Sequence, residues 1–149
     1  MRRNTILFGT ALLLGLGVGF AQQKDTTQAP DAAPPPISAD DAAKKNPVKP
    51  TSEGLAEAKK FYGYQCAMCH GKDGDGKGDL AGTMNLKLND WHDSSTIAKF
   101  TDGELFYIIS NGRGKMVGEG DRTKEQMRWN LVNLVRSFGK KGEQPSNLQ

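Results

Sequence analysis

The chain has 149 residues, 36% of them hydrophobic and 25% charged, a balance that fits one compact domain with extra segments and gives no sign of a second core. Its 20 Lys and Arg barely exceed its 17 Asp and Glu. No run interleaves basic with aromatic residues, so nucleic acid binding is set aside.

The N-terminus, "MRRNTILFGTALLLGLGVGFAQQ", sets Arg2 and Arg3 before an apolar run from Ile6 to Phe20 that ends in Gly19, Phe20 and Ala21. This is the layout of a secretory signal, with cleavage expected after Ala21, and the run is short and glycine-rich for a stable membrane span. Residues 1–21 are therefore expected to be a signal peptide and the mature protein periplasmic; membrane contact is expected only if the signal is kept as an anchor. Cleavage removes two arginines and no acids, leaving 18 basic against 17 acidic residues.

Residues 22–50, "QQKDTTQAPDAAPPPISADDAAKKNPVKP", are rich in Ala, Pro, Asp and Lys, with Ile37 and Val48 the only large aliphatics. Too little apolar surface is present to offset the entropy of ordering, and a disordered or partly polyproline linker is expected. The folded domain is expected over residues 51–140, with 141–149 a flexible tail.

Within the domain, a first helix is predicted from about Ser52 to Tyr64, with Leu55, Ala58, Phe61 and Tyr62 on one face. It runs directly into "CAMCH". A second helix is predicted in "TDGELFYIISNG", where Thr101 and Glu104 have capping-box spacing, Leu105, Ile108 and Ile109 form a stripe, and Asn111 with Gly112 supplies the stop. The third lies in "TKEQMRWNLVNLVRSFG", with Thr123 and Gln126 as capping box, Met127, Leu131, Leu134, Val135 and Phe138 in helical register, and Gly139 as stop. Residues 71–100 and 111–122 are rich in Gly, Asp and Asn. A domain so loop-rich and short would be marginal on its own burial; something else is expected to fill its core.

Cys66, Ala67, Met68, Cys69 and His70 form C-x-x-C-H, the attachment signature of c-type haem. Two thiols one helical turn apart can each add to a haem vinyl group, and the next residue presents its imidazole to the iron, making His70 the proximal ligand. Three other readings exist. A redox dithiol would normally open a helix after a strand. A zinc site from Cys66, Cys69, His70 and His92 would ask the adjacent Cys69 and His70 to reach one tetrahedral ion. A single disulfide would also suit an exported chain. Asp73, Asp75 and Asp79, interleaved with glycines, lack the closing Glu of an EF-hand and read as turn residues.

On these motifs, together with "HGKDGDGKGD", a glycine-rich loop carrying a methionine, and the final "WNLVNLVRSF", residues 52–140 resemble a monohaem class I cytochrome c domain of the bacterial type. The resemblance implies an all-α fold of three to five short helices wrapped around one covalent haem c. It also implies a sixth iron ligand from the loop before the last helix, "NGRGKMVGEGD", pointing to Met116. Met84 and His92 are the competing ligands. Val117 stands where the family usually has proline, which would loosen the loop. Ala58, Tyr62 and Leu134 match the positions at which the family's first and last helices cross. Trp91 is a candidate partner of a haem propionate, as are Arg113 and Lys115, each with a plain packing or solvation role as the alternative, and Trp129 is read as structural.

The function implied is a periplasmic electron carrier, not an enzyme, expected to be monomeric and to dock transiently with redox donor and acceptor proteins. A haem-bearing subunit of a larger oxidoreductase and a gas-binding module that releases Met116 are the alternatives. From Thr51 onward 14 basic residues face 13 acidic ones, so strong basic steering of partners is not expected. In a haem-free structure, a cavity lined by Cys66, Cys69, His70 and Met116 is expected where the haem would lie.

Overall fold

The structure is a computed structural model and describes residues 36–142. The expected signal peptide and the first part of the expected linker lie outside the described residues, as do 143–149. The described elements are α1 (Ala39–Ala43), α2 (Ser52–Gln65), α3 (Ala67–His70), α4 (Asp79–Thr83), α5 (Ser94–Ile97), α6 (Asp102–Asn111), β1 (Gly112–Arg113), β2 (Met116–Val117) and α7 (Glu125–Gly142). The domain is all-α as expected, apart from a two-stranded antiparallel hairpin pairing Gly112 with Val117 and Arg113 with Met116.

The three long helices form where the apolar spacing places them. Thr51 caps α2 by accepting from the Gly54 amide. Thr101 and Glu104 form the full capping box of α6, the hydroxyl accepting from Glu104 N and the carboxylate from Thr101 N. At the other end of α6, Gly112 takes φ 79°. A side chain there would be strained, and the chain turns sharply into the hairpin.

The core sits where α2 and α7 cross. Ala58 and Tyr62 from α2 meet Leu131, Val132, Leu134, Val135 and Phe138 from α7, with Leu105 and Ile109 of α6 against them. The aromatic pair at the crossing is Tyr62 with Phe138, ring centroids 5.4 Å apart at 63°. Leu134, expected at that contact, is buried one turn earlier; a leucine cannot supply the edge-to-face geometry that Phe138 does.

The structure departs from expectation at three places. Residues 36–50, expected as linker, include α1 and are fastened to the domain. Ser38 caps α1, the Thr101 hydroxyl donates to Ala42 O at 2.6 Å, and Asn46 Nδ2 donates to Trp129 O and Asn133 Oδ1. Asn133 Nδ2 in turn donates to Val48 O at 2.9 Å, and Val48 packs against the core. At Gly103 a side chain would run into the α1 backbone, so this glycine permits the close approach of α1 to α6. Second, the Thr123–Gln126 box does not form, because α7 begins only at Glu125, which leaves Thr123 before the cap position, where its hydroxyl donates to Glu119 O and helps close the preceding turn. Third, α7 passes through Gly139 to Gly142. A Cβ at Gly139 would stand 2.9 Å from Ile97 Cδ1, so this glycine serves packing against α5, not termination.

Candidate functional site

The first helix delivers the cysteine motif. The Cys66 amide still donates to Tyr62 O, but at φ −115° Cys66 leaves regular helical geometry, and α3 restarts at Ala67. Cys69 N and His70 N both donate to Cys66 O, at 3.2 and 2.9 Å. The three chemically distinctive side chains are therefore held on a single turn. Its C-terminal carbonyls would be orphaned in so short a helix, and the Gly/Asp loop answers them: Gly76 N donates to His70 O at 2.8 Å and Gly78 N to Cys69 O at 3.1 Å. Asp75 takes the Lys77 amide. The loop that reads as turns thus also braces the motif. From the opposite side, the Tyr62 hydroxyl donates to Gly71 O at 3.0 Å.

Cys66, Cys69 and His70 are all half-buried, and the two thiols are not bridged. Burial first, and then the nearby charge of Glu119, pushes the Cys66 thiol up to about 12. Burial lowers the His70 imidazole, so it is neutral at pH 7, the form that ligates metal ions. Its Nδ1 is buried without a hydrogen-bond partner, an unusual state for a native polar atom. Among the described residues, no group of three or more His, Cys, Asp and Glu side chains could hold a metal ion.

Met116 lies on β2, half-buried, with exposed Val117 beside it. Although Val117 replaces a rigid proline, the hairpin pairing fixes Met116 opposite Arg113, and Glu119 N and Gly120 N donate to Ile109 O and Ser110 O at 2.8 Å each. The loop is pinned back onto α6.

The competing ligands are placed otherwise. Met84 is the exposed C-cap of α4. His92 pairs with Asp90 at 3.0 Å and lies edge-on to Phe138. Met127 packs against the core. Trp91 packs edge-on against Phe100 at 5.7 Å, and Arg113 and Lys115 are solvent-exposed. Trp129 is structural: it stacks on Phe106 at 3.9 Å and donates to Glu125 Oε1.

The expected cavity lined by the four ligand residues matches neither of two clefts of about 600 Å³, of which the second alone borders the motif, at Ala67 and Met68. One lies between Phe106, Ser110, Val117 and Arg128, the other between Tyr64, Met68, Lys72 and Asp79. Neither is lined by Cys66, Cys69, His70 or Met116. Leu80, Leu86, Leu88 and Met116 are half-buried yet stand outside the core cluster.

Two features escaped sequence reasoning. An acid between glycines, as Glu119 is, reads as a solvated loop residue, and nothing in its neighbourhood signals burial. The brace from Gly76 and Gly78 is made by backbone amides, which carry no sequence signature beyond the glycines themselves.

The donor set fits a covalently attached haem: two unbridged thiols one turn apart, and on the same turn a neutral imidazole with an unpartnered ring nitrogen. Fold and site together define a small helical domain of the c-type haem class. The family model described as "Cytochrome c" matches residues 55–139, and the chain belongs to that family. The family implies a covalent c-type haem, and the C-x-x-C spacing of Cys66 and Cys69 is consistent with one. Among solved structures, "KustC0563 c-type cytochrome" is 27% identical with a TM-score of 0.48, the match covering 54% of this chain and 95% of that one. A chain of the "Kuenenia stuttgartiensis reducing HAO-like protein complex Kustc0457/Kustc0458" is 24% identical with a TM-score of 0.52. That match covers 62% of this chain and 46% of the other, so this chain spans less than half of it, and the likeness is one of fold. A search of curated proteins finds none that matches.

Proposed function

We propose that this protein is an exported one-electron carrier in which Cys66 and Cys69 would hold a single haem c and His70 and Met116 would ligate its iron. The observation that carries the proposal is the α3 turn, where both unbridged thiols and the neutral, unpartnered imidazole of His70 share one helical turn. When bound, the haem supplies a one-electron couple. The chain's own contribution is positional. Tyr62 and the Gly76 and Gly78 amides brace the motif, and the hairpin restrains Met116. With His70 and Met116 both serving as iron ligands, no coordination position would be left for a substrate, which favours outer-sphere transfer. The restraint on Met116 favours a carrier over a module that releases this ligand to bind a gas.

Exposed Met68, inside the attachment motif, and exposed Val117, next to Met116, would offer donors and acceptors a small apolar contact of the kind that suits short-lived redox encounters. Among the described residues no helix is long and apolar enough to cross a membrane. The periplasmic location rests on the N-terminal signal pattern alone.

The test is the absorption spectrum of the purified exported protein, oxidised and reduced. Haem retained after denaturation, and lost in the C66A/C69A double variant, is expected. The weak far-red methionine-to-ferric-iron band should be present in wild type and absent in M116A. Rapid, complete carbon monoxide binding by the reduced wild type would replace the carrier with a gas-binding module. Stable co-purification with a larger oxidoreductase would make it a subunit.

A further inference from the structure

The hairpin that carries Met116 has a fixed register. Its two central residues are Gly114 and Lys115, and Gly114 takes φ 59°, the left-handed conformation that favours glycine at the first position of a two-residue hairpin turn. Arg113 pairs with Met116, and Gly112 with Val117. At the base of the hairpin Gly112 N donates to Ile108 O, and a side chain on Gly112 would run into Met116 O. The strands are therefore packed too closely at this point to slip.

Directly opposed residues of an antiparallel pair project to the same face, with Cβ atoms about 5 Å apart. Arg113 thus shares the face of Met116, while Val117 stands on the other, 71% exposed. Lys115 lies in the turn and has no cross-strand partner. From Gly112 to Gly118 the chain holds two cations and no acid, and none of the ion pairs among the described residues involves Arg113. Of the acids that follow, Glu119 is engaged by Arg122 at 2.8 Å and Asp121 is exposed. The loop does not need the Arg113 side chain for its own shape, which Gly112, Gly114 and the Glu119 and Gly120 amides set.

We propose that Arg113 is a charge-tuning residue, held by the hairpin register on the face of Met116 so that its guanidinium favours the reduced form of the haem and raises the reduction potential. The inference rests on the haem site proposed above, in which Met116 ligates the iron. Reduction adds one electron, supplied by the donor, and removes one unit of positive charge at the iron. A fixed cation nearby disfavours the state with the greater positive charge. No proton need move and no bond changes. Because Arg113 is exposed, its field is partly screened by solvent and salt.

The experiment is an equilibrium redox titration, with small-molecule mediators supplying the electron, of the full haem-loaded wild type and the variants R113K, R113Q, R113E and K115Q. The far-red methionine-to-ferric-iron band is recorded for each. At low salt and a fixed applied potential, the ferrous-to-ferric ratio is expected to fall about threefold in R113Q and about tenfold in R113E, in step with the charge removed, and to stay near wild type in R113K. K115Q, off the ligand face, should move it less than R113Q does. At about 1 M salt these differences should shrink. A role confined to shaping the hairpin would weaken the far-red band and would not follow the charge. An unmoved ratio in R113Q, or equal shifts in R113K and R113Q, overturns the proposal. Should R113E lose the band, the comparison of R113Q with R113K decides alone. Wild type without covalent haem, or without the methionine band, would remove this inference and the proposed ligation together; an intact band with an unmoved R113Q ratio removes this inference alone.

Discussion

Tyr62 and Phe138 meet edge to face at 5.4 Å at the crossing of the first long helix and the last, and the same tyrosine holds the Gly71 carbonyl just behind His70. One side chain therefore couples the helical core to the attachment motif. Its two contributions are separable. Y62F keeps the ring contact and removes one of the two donors to the buried Gly71 carbonyl, the Gly74 amide remaining at 3.2 Å, an expected loss of about 1 kcal/mol. Y62A also loses the ring packing, and about 3–5 kcal/mol is expected. Denaturant unfolding of the two variants measures the difference. Equal losses would mean that the hydroxyl contributes nothing.

The N-terminal strap makes a second prediction. Asn46 joins Trp129 O to Asn133, and Asn133 returns a bond to Val48 O, so N46A leaves two acceptors on α7 without this donor. A loss of about 1–3 kcal/mol is expected. T101V removes both the capping hydroxyl of α6 and its bond to Ala42 O, for about 1–2 kcal/mol. Amide exchange should show α1 opening faster in both. Unchanged protection at Ala42 would show that the strap is held by other contacts.

Acid should loosen the strap locally. The Lys44 ammonium, bonded to Asp41 at 2.7 Å, and the Ser38 hydroxyl hold the Asp41 carboxyl below its ordinary value of 3.8. A depressed carboxylate contributes stability that is present in full above the unfolded value and lost as pH falls through the lower folded one. Amide protection in α1 is thus expected to be flat from neutral pH down to about 4 and to drop below it. In D41N that drop should vanish. The carboxylate is partly exposed and its partners are Ser38 and Lys44 at the ends of α1, so the effect stays within α1.

Much of this architecture was legible because it depends on local signals. The apolar stripes of α2, α6 and α7 and the Thr101–Glu104 box are patterns within a few residues, and Cys66, Cys69 and His70 are contiguous. Met116 is less so, since it lies 46 residues from His70 and was pointed to only through the family resemblance. The strap was not legible because polar bonds between residues more than 80 positions apart hold it, and hydropathy registers burial, not such partnerships. Thr123 shows the converse failure. Its spacing to Gln126 is that of a cap, but α7 begins only at Glu125 and the hydroxyl serves the preceding turn at Glu119 O. Local rules describe what a side chain can do, and tertiary neighbours choose among the options.

Arg136 is the clearest case of such a choice, and it gives the last prediction. On α7 it would read as one more solvent-facing cation, yet its guanidinium gathers three separate acceptors. Nε and Nη2 meet Asp102 Oδ1 at 2.9 and 2.8 Å, Nη1 donates to Ile97 O at 2.9 Å, and Nη2 to Phe100 O at 2.6 Å. The last two are the carbonyls at the end of α5 and just before α6, so one fork ties α7 to both short-helix junctions. Only a planar, five-donor group can span them. The ion pair with Asp102 is partly exposed and is expected to contribute under about 1 kcal/mol, so D102N should be mild. R136A strands the Phe100 carbonyl and takes from the Ile97 carbonyl one of its two donors, the Phe100 amide remaining at 3.1 Å, and should cost about 1–3 kcal/mol. R136K keeps the charge but cannot reach all three acceptors, and should fall nearer to R136A than to wild type. Were R136K instead to match wild type in denaturant unfolding, the charge and not the fork would be what holds the junction.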